Sequence, residues 1–163
     1  MNAWVYKVNS RRPGRYTGWH FDRFFRSRNR GPQEMGGHEW IRSPLSWARL
    51  RRVRAGDLFV CYQSDERKIY GLARAASAGY ESLAGSGIFD CVDFQPKGLR
   101  LAMPVPVAHR RTRPVFRHVR AFTVPSRGTI HPLGRDELRA ILSLLADFNP
   151  TEKAAIHRFA GGP

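Results

Sequence analysis

Apolar and polar positions alternate most clearly over residues 56–74, GDLFVCYQSDERKIYGLAR. A Gly56-Asp57 turn leads into the apolar run Leu58–Gln63, a charged loop follows at 64–68, and a second short run occupies 69–74. Two such runs joined by a loop of that length predict a β-hairpin. Leu58, Val60 and Tyr62 share one face of the first strand, and Phe59, Cys61 and Gln63 share the other. Both faces are largely apolar, so the strand is expected to be covered on both sides. Gly71, in the second strand, leaves room for another group to approach the backbone. Residues 3–9 alternate in the same way, with Trp4, Tyr6 and Val8 on one face and Val5 and Lys7 on the other. Residues 88–94 and 99–107 read as further strands. The latter places Leu99, Leu101, Met103 and Val105 on one side and carries Pro104 and Pro106, which suit an edge or a strand end.

Elsewhere the period lengthens. Residues 19–27 group Phe21, Phe24 and Phe25 on one face, with Trp19 beside them and Asp22, Arg23 and Arg26 outward. Ser43-Pro44 is a capping serine followed by proline, and it opens a helix over 44–53. That helix is expected to turn Leu45, Ala48 and Val53 inward and Arg49, Arg51 and Arg52 outward. Residues 112–120 read as a short helix or extended turn. The strongest helix covers 134–148, with Leu138, Ile141, Leu142 and Leu145 at i, i+3, i+4 and i+7. Asn149-Pro150 breaks it, and 151–159 reads as a short terminal helix. Five or six short strands with three or four helices predict an α+β fold on a small closed sheet. The chain is expected to be one domain over 1–163, with a tail at 160–163.

Charge changes the picture. The 163 residues carry 28 basic and 13 acidic side chains, a net charge of +15. Only Lys7, Lys68, Lys97 and Lys153 are lysines, so 24 of the 28 are arginine. Arginine forks match phosphates and stack on bases, which points to a polyanionic partner. Residues 1–60 hold 13 basic and 4 acidic side chains against 15 and 9 in the rest, so the excess is +9 and then +6. Cys61 and Cys91 have no zinc-ligand spacing, and no metal or other cofactor is expected. No glycine-rich phosphate loop, nucleophile elbow or carboxylate cluster is present. No signal peptide or long apolar run is evident, so no membrane association is expected and the expected location is cytoplasmic.

The hairpin also carries a resemblance. A Gly-Asp turn, an apolar strand ending in Tyr62-Gln63-Ser64, a charged loop and then Ile69-x-Gly71-x-Ala73 resemble the core signature of EVE domains. These belong to the PUA-like superfamily together with YTH and ASCH domains. The opening strand Ala3-Trp4-Val5-Tyr6-Lys7-Val8-Asn9-Ser10 is similar to that of EVE and YTH domains. Gly128-Thr129-Ile130-His131-Pro132-Leu133, followed by a helix, is similar to the closing segment of EVE domains. The resemblance spans about residues 3–145 and implies a PUA-like small β-barrel flanked by helices. It further implies a non-catalytic module that binds a modified base in DNA or RNA. An association with a nuclease or restriction system is also implied.

A base swung out of its stack is held by aromatic faces and by hydrogen bonds to its edge. The expected base-binding residues are Trp19, Trp40, Trp47 and Tyr62, with Asn9, Ser10 and Gln63 as polar readers. Trp19 suits the phenylalanine-rich core face better than a pocket, and Trp47 lies one position off the expected core face of its helix. Trp4 reads as core. The expected phosphate-binding residues are Arg11, Arg12, Arg15, Arg49, Arg52, Arg110 and Arg111, which would fix register while the pocket reads the base. One alternative is an RNA-processing or nuclease enzyme on an ASCH-like scaffold, using a histidine or lysine near the same pocket, with His38-Glu39 and His131 as an acid/base pair. Another is an RNA-binding subunit indifferent to modification.

Overall fold

A strand that is apolar on both faces needs a layer on each side, and the chain supplies both. The computed structural model describes residues 1–10, 20–27, 33–34, 44–123 and 129–161. Its strands are β1 (Ala3–Val8), β2 (Gln33–Glu34), β3 (Leu58–Gln63), β4 (Lys68–Arg74), β5 (Tyr80–Glu81), β6 (Phe89–Val92), β7 (Leu99–Pro106) and β8 (Ile130–Leu133). Its helices are α1 (Phe21–Arg26), α2 (Pro44–Leu50), α3 (Arg113–Phe116), α4 (Arg120–Thr123), α5 (Arg135–Phe148) and α6 (Lys153–Phe159), with a 3₁₀ turn at Pro150–Glu152. The main sheet has the order β7-β4-β3-β1-β8, and a smaller one has the order β2-β6-β5. β1 pairs with β3 in parallel, while β3–β4, β4–β7 and β1–β8 are antiparallel.

All six residues of β3 are buried. On one face Val5, Leu58, Val60, Tyr62 and Ile69 pack with Phe116, Ile141, Leu145 and Ile156 of the C-terminal helices. On the other, Trp4, Tyr6, Phe59 and Cys61 pack with Phe21 and Phe24 of α1, Leu50 of α2, Val92 of β6 and Phe94. Tyr6 stacks on Phe94 with ring centres 5.7 Å apart and meets Phe21 edge-on at 5.4 Å. Close approach at Gly71 is confirmed. A Cβ there would lie 2.2 Å from the Leu99 carbonyl and 2.6 Å from Phe25 Cζ, so only glycine lets α1 and β7 close on β4.

Asp57 fixes the entry to the hairpin. Its buried carboxylate accepts the Asn2 backbone N–H at 2.7 Å, the Trp4 indole N–H at 3.0 Å and the Arg54 backbone N–H at 3.0 Å.

Three expectations need correction. Among the described residues eight strands rather than five or six are present, two of them of two residues, and no closed barrel is seen. Side chains satisfy both edges of the main sheet. On β7 the Ala102 N–H donates to the Glu152 carboxylate at 2.9 Å and the Met103 N–H to Asn149 Oδ1 at 2.8 Å, while Pro104 and Pro106 have no N–H to offer. On β8 the Ile130 carbonyl accepts from Arg49 at 2.8 Å.

The second correction concerns α2, which buries Ser46 and Leu50 and leaves Leu45 (53% exposed) and Ala48 outside. Leu50 with Val53, buried in the turn that follows, sets the rotation of the helix. The third is Met103, which is 56% exposed although Leu101 and Val105 are buried. Residues 101–104 lie opposite the single residue Tyr70, so the alternation breaks there.

Candidate nucleic-acid interface

The parallel strands β1 and β3 end together, with Val8 opposite Gln63. Ser64 ties the two strand ends together, donating both its N–H and its hydroxyl to the Val8 carbonyl at 2.8 Å. Beyond it, the Ser10 N–H donates to Asp65 Oδ1 at 3.3 Å, and the Ser10 hydroxyl donates to Oδ2. Gln63 Nε2 donates to Asp65 Oδ1 at 2.6 Å, and Gln63 Oε1 accepts the first N–H of α1, that of Phe21, at 3.2 Å. Burial alone would raise the Asp65 carboxyl, but the hydrogen bonds from Ser10 and Gln63 outweigh it and hold the pKa below the ordinary value.

A second polar group flanks the first. His20 caps α1, its Nδ1 accepting the Asp22 N–H at 3.0 Å. The proton therefore sits on Nε2, which donates to Glu66 at 2.7 Å. Glu66 also accepts the Tyr70 hydroxyl at 2.6 Å and lies 3.5 Å from Lys68. The Tyr70 hydrogen bond is the largest of the causes that hold Glu66 below the usual carboxylate range. Arg100 donates twice to Asp22, at 3.0 and 2.7 Å.

The third group is cationic. Lys7 points to the same face as Tyr62, its neighbour in the β1–β3 register, with Nζ 5.9 Å from the Tyr62 ring centre. Arg49, from α2, donates through Nη1 to the Ile130 carbonyl at 2.8 Å and to His131 Nδ1 at 3.2 Å. Burial and the nearby Arg49 charge lower the Lys7 pKa to about 8. Arg49 is itself lowered by burial and by Arg120.

The expected site residues are placed unevenly. Asn9 and Ser10 stand at the end of β1, half-buried and exposed respectively, and Trp47 is half-buried on α2. Tyr62 (5% exposed) is in the core, meeting Phe122 edge-on at 4.9 Å, and Gln63 is fully buried in the hydrogen bonds above. Tyr62 is thus a core residue rather than an open platform.

Trp47 and Tyr62 are not brought together. Tyr62 lies on the helical face, whereas α2 packs on the opposite face through Leu50. Trp47 also projects about 160° around α2 from Arg49, since two helical residues differ by about 200°. Arg52, Arg110 and Arg111 are exposed, and Arg111 stacks over Phe148 at 5.2 Å. Trp19, Trp40, Arg11, Arg12 and Arg15 lie outside the described residues, as do Ser43 and the pair His38-Glu39. His131 is buried against Arg49. Sequence reading missed Lys7 and Arg120. The available signal was a lysine on the strand face that Ala3 and Val5 otherwise give to the core.

The sequence matches no protein-family model and no curated protein. Solved structures do match. Human THYN1, in a crystal structure of its complex with 5-methylcytosine-containing DNA, has a TM-score of 0.60 and 18% identity, over 89% of this chain and 98% of that one. The DUF55 domain of human thymocyte nuclear protein 1 gives 0.65 and 17%, over 88% and 98%. The NMR structure of Rpa0253 from Rhodopseudomonas palustris gives 0.63 and 19%, over 93% and 94%. The chain shares the overall fold of these neighbours. Among the described residues, no helix is long and apolar enough to cross a membrane.

Proposed function

We propose that this chain is a non-catalytic, EVE-type module that binds nucleic acid and recognises a modified base. Trp19, Trp40 and Trp47 supply aromatic faces in this reading, and Asn9 and Ser10 read the edge of the base. Tyr62 and Gln63 form the wall behind them. Arg11, Arg12, Arg15, Arg49, Arg52, Arg110 and Arg111 hold phosphates. The observation that carries the reading is the gathering of cations beside the joint carboxyl ends of β1 and β3, where Ser10 is held by Asp65. The fold likeness to a protein solved with 5-methylcytosine-containing DNA supports the choice of partner. Recognition without chemistry supplies an address, so any cleavage would fall to a separate nuclease.

The test is equilibrium binding to matched DNA and RNA oligonucleotides, each with one modified or one plain base. The reading requires tighter binding to one of the modified forms, with no strand cleaved in the presence or absence of divalent metal. Cleavage that is lost in a His131→Ala variant would favour the ASCH-like enzyme instead. Equal affinity for all forms would favour a subunit that ignores modification.

A further inference from the structure

A run of hydrogen bonds leads from the core to the end of β1, and each bond in it has a fixed direction. It starts at Phe21, the first residue of α1, whose backbone N–H can only donate. Gln63 Oε1 accepts that N–H at 3.2 Å, so the other arm of the amide must be Nε2. Nε2 donates to Asp65 Oδ1 at 2.6 Å. The Ser10 backbone N–H donates to the same oxygen at 3.3 Å, and the Ser10 hydroxyl meets Oδ2. Burial raises the Asp65 carboxyl, yet the bonds from Ser10 and Gln63 lower it by more, so at neutral pH it is ionised and can only accept. The Ser10 proton therefore lies toward Asp65, and the exposed Ser10 offers its oxygen lone pairs to a ligand.

We propose that Asp65 is a positioning residue for base recognition: by holding the Ser10 proton it makes Ser10 an acceptor, which selects a base that presents an amino group over one that presents a carbonyl oxygen there. The inference rests on the function proposed above, in which Ser10 reads the edge of the base.

Two features favour this over a bond that merely fastens a strand end. Fastening is already supplied by Ser64, which donates twice to the Val8 carbonyl at 2.8 Å. The Ser10 hydroxyl adds to that tie chiefly a fixed proton. The second feature is Gln63, fully buried in a strand that is otherwise apolar, where an amide costs desolvation unless both its arms are bonded. Its arms are bonded to Phe21 and Asp65, and they hold the carboxylate in register with Ser10. The chemistry of the bases completes the argument. Cytosine and adenine carry an amino donor where thymine carries a carbonyl oxygen, which would meet the Ser10 oxygen lone pair to lone pair.

Paired single-stranded oligonucleotides test it, each pair differing at one base: cytosine against uracil, 5-methylcytosine against thymine, adenine against hypoxanthine. Affinities are measured for the wild type, Asp65→Asn and Ser10→Ala. Asparagine keeps the shape of Asp65, but with Gln63 Nε2 still facing its oxygen its own Nδ2 faces Ser10, which must then turn its proton outward. Ser10 is exposed, so Ser10→Ala keeps the test informative if Asp65→Asn folds poorly.

In the pair bound most tightly, the wild type is expected to favour the amino base on the order of tenfold, the effect of one hydrogen bond made or left unmade. The ratio should fall to about one in Ser10→Ala and fall further or reverse in Asp65→Asn. An Asp65→Asn variant that weakens both members of the pair equally, or an amino preference that survives both substitutions, overturns the positioning role. A wild type that favours the carbonyl base, or neither, while still separating 5-methylcytosine from cytosine, overturns this inference and leaves the function reading intact. An amino preference lost in both variants, in a chain that ignores methylation and every other modification, upholds the role of Asp65 and overturns that reading. Equal affinity for every oligonucleotide overturns both.

Discussion

Lys7 and Arg49 come from different layers of the molecule and meet at one short strand. The Lys7 amide donates to the Thr129 carbonyl at 2.7 Å, and Arg49 Nη1 donates to the Ile130 carbonyl at 2.8 Å. The relationship ties the sheet edge to the proposed function, because the bond that finishes the β8 edge also sets a guanidinium beside an ammonium.

A pH dependence follows from Lys7, whose pKa is lowered from 10.5 to about 8. Between those values the unfolded chain binds more protons than the folded one, so this group makes stability rise with pH across that window. Arg49 and the Tyr62 ring lie near it. Lys7→Met should therefore melt higher than the wild type near pH 7, with the gap closing by about pH 10. Affinity for oligonucleotides should fall as pH rises past about 8 in the wild type alone. Melting curves and binding isotherms on both proteins from pH 7 to 10 check the pair of trends.

Trp47 gives a separable prediction. It is half-buried beside the stripe of Ser46 and Leu50. Trp47→Ala should cost less stability than the ~3–5 kcal/mol of a core tryptophan. It should cost about 1–3 kcal/mol of binding, more for the modified ligand than for the plain one. Denaturation and binding measured on the same variant check this. A core-sized loss of stability, or intact discrimination in a stable variant, removes Trp47 from the pocket.

Much of this was readable in the sequence, and the failures are physical. The hairpin, the two covered faces of β3 and the helix over 134–148 follow from periodicity, because burial on both sides leaves few alternatives. Gly71 announced a close approach without naming Leu99 or Phe25, which are distant in sequence. The core face of α2 was misread because Leu45 and Ala48 look more apolar than Ser46, yet Leu50 and Val53 decide the rotation. Side chains that satisfy a sheet edge, such as Asn149 and Glu152 on β7, leave no periodic trace. Lys7 was visible as an odd residue on an apolar face, but its neighbour Arg49 comes from a remote segment.

Asp57 should prove essential for folding. Asp57→Ala leaves the Asn2, Trp4 and Arg54 N–H groups without their acceptor in or near the core. The expected loss is about 3 kcal/mol or more, from hydrogen bonds to a charged group at ~1.5–3 kcal/mol each. Urea denaturation reads it directly, and a loss below about 1 kcal/mol would contradict the role given to this carboxylate.

Gly71→Ala tests the contact among α1, β4 and β7. Its methyl would enter the space of the Leu99 carbonyl, so backbone must shift. A loss at or above the ~1–3 kcal/mol typical of overpacking is expected in chemical denaturation. A neutral effect would mean that β7 is not closed on β4 in solution.

The central claim is recognition of a modified base, and one comparison bears on it most directly. Affinities should be measured for paired oligonucleotides that differ only in the modification, beginning with 5-methylcytosine against cytosine and extending to other modified bases in DNA and RNA. The account predicts that one modified form binds more tightly by about 0.8 kcal/mol or more, the worth of one buried methyl-sized group, or roughly fourfold. Identical affinities across every modified and plain pair would contradict it.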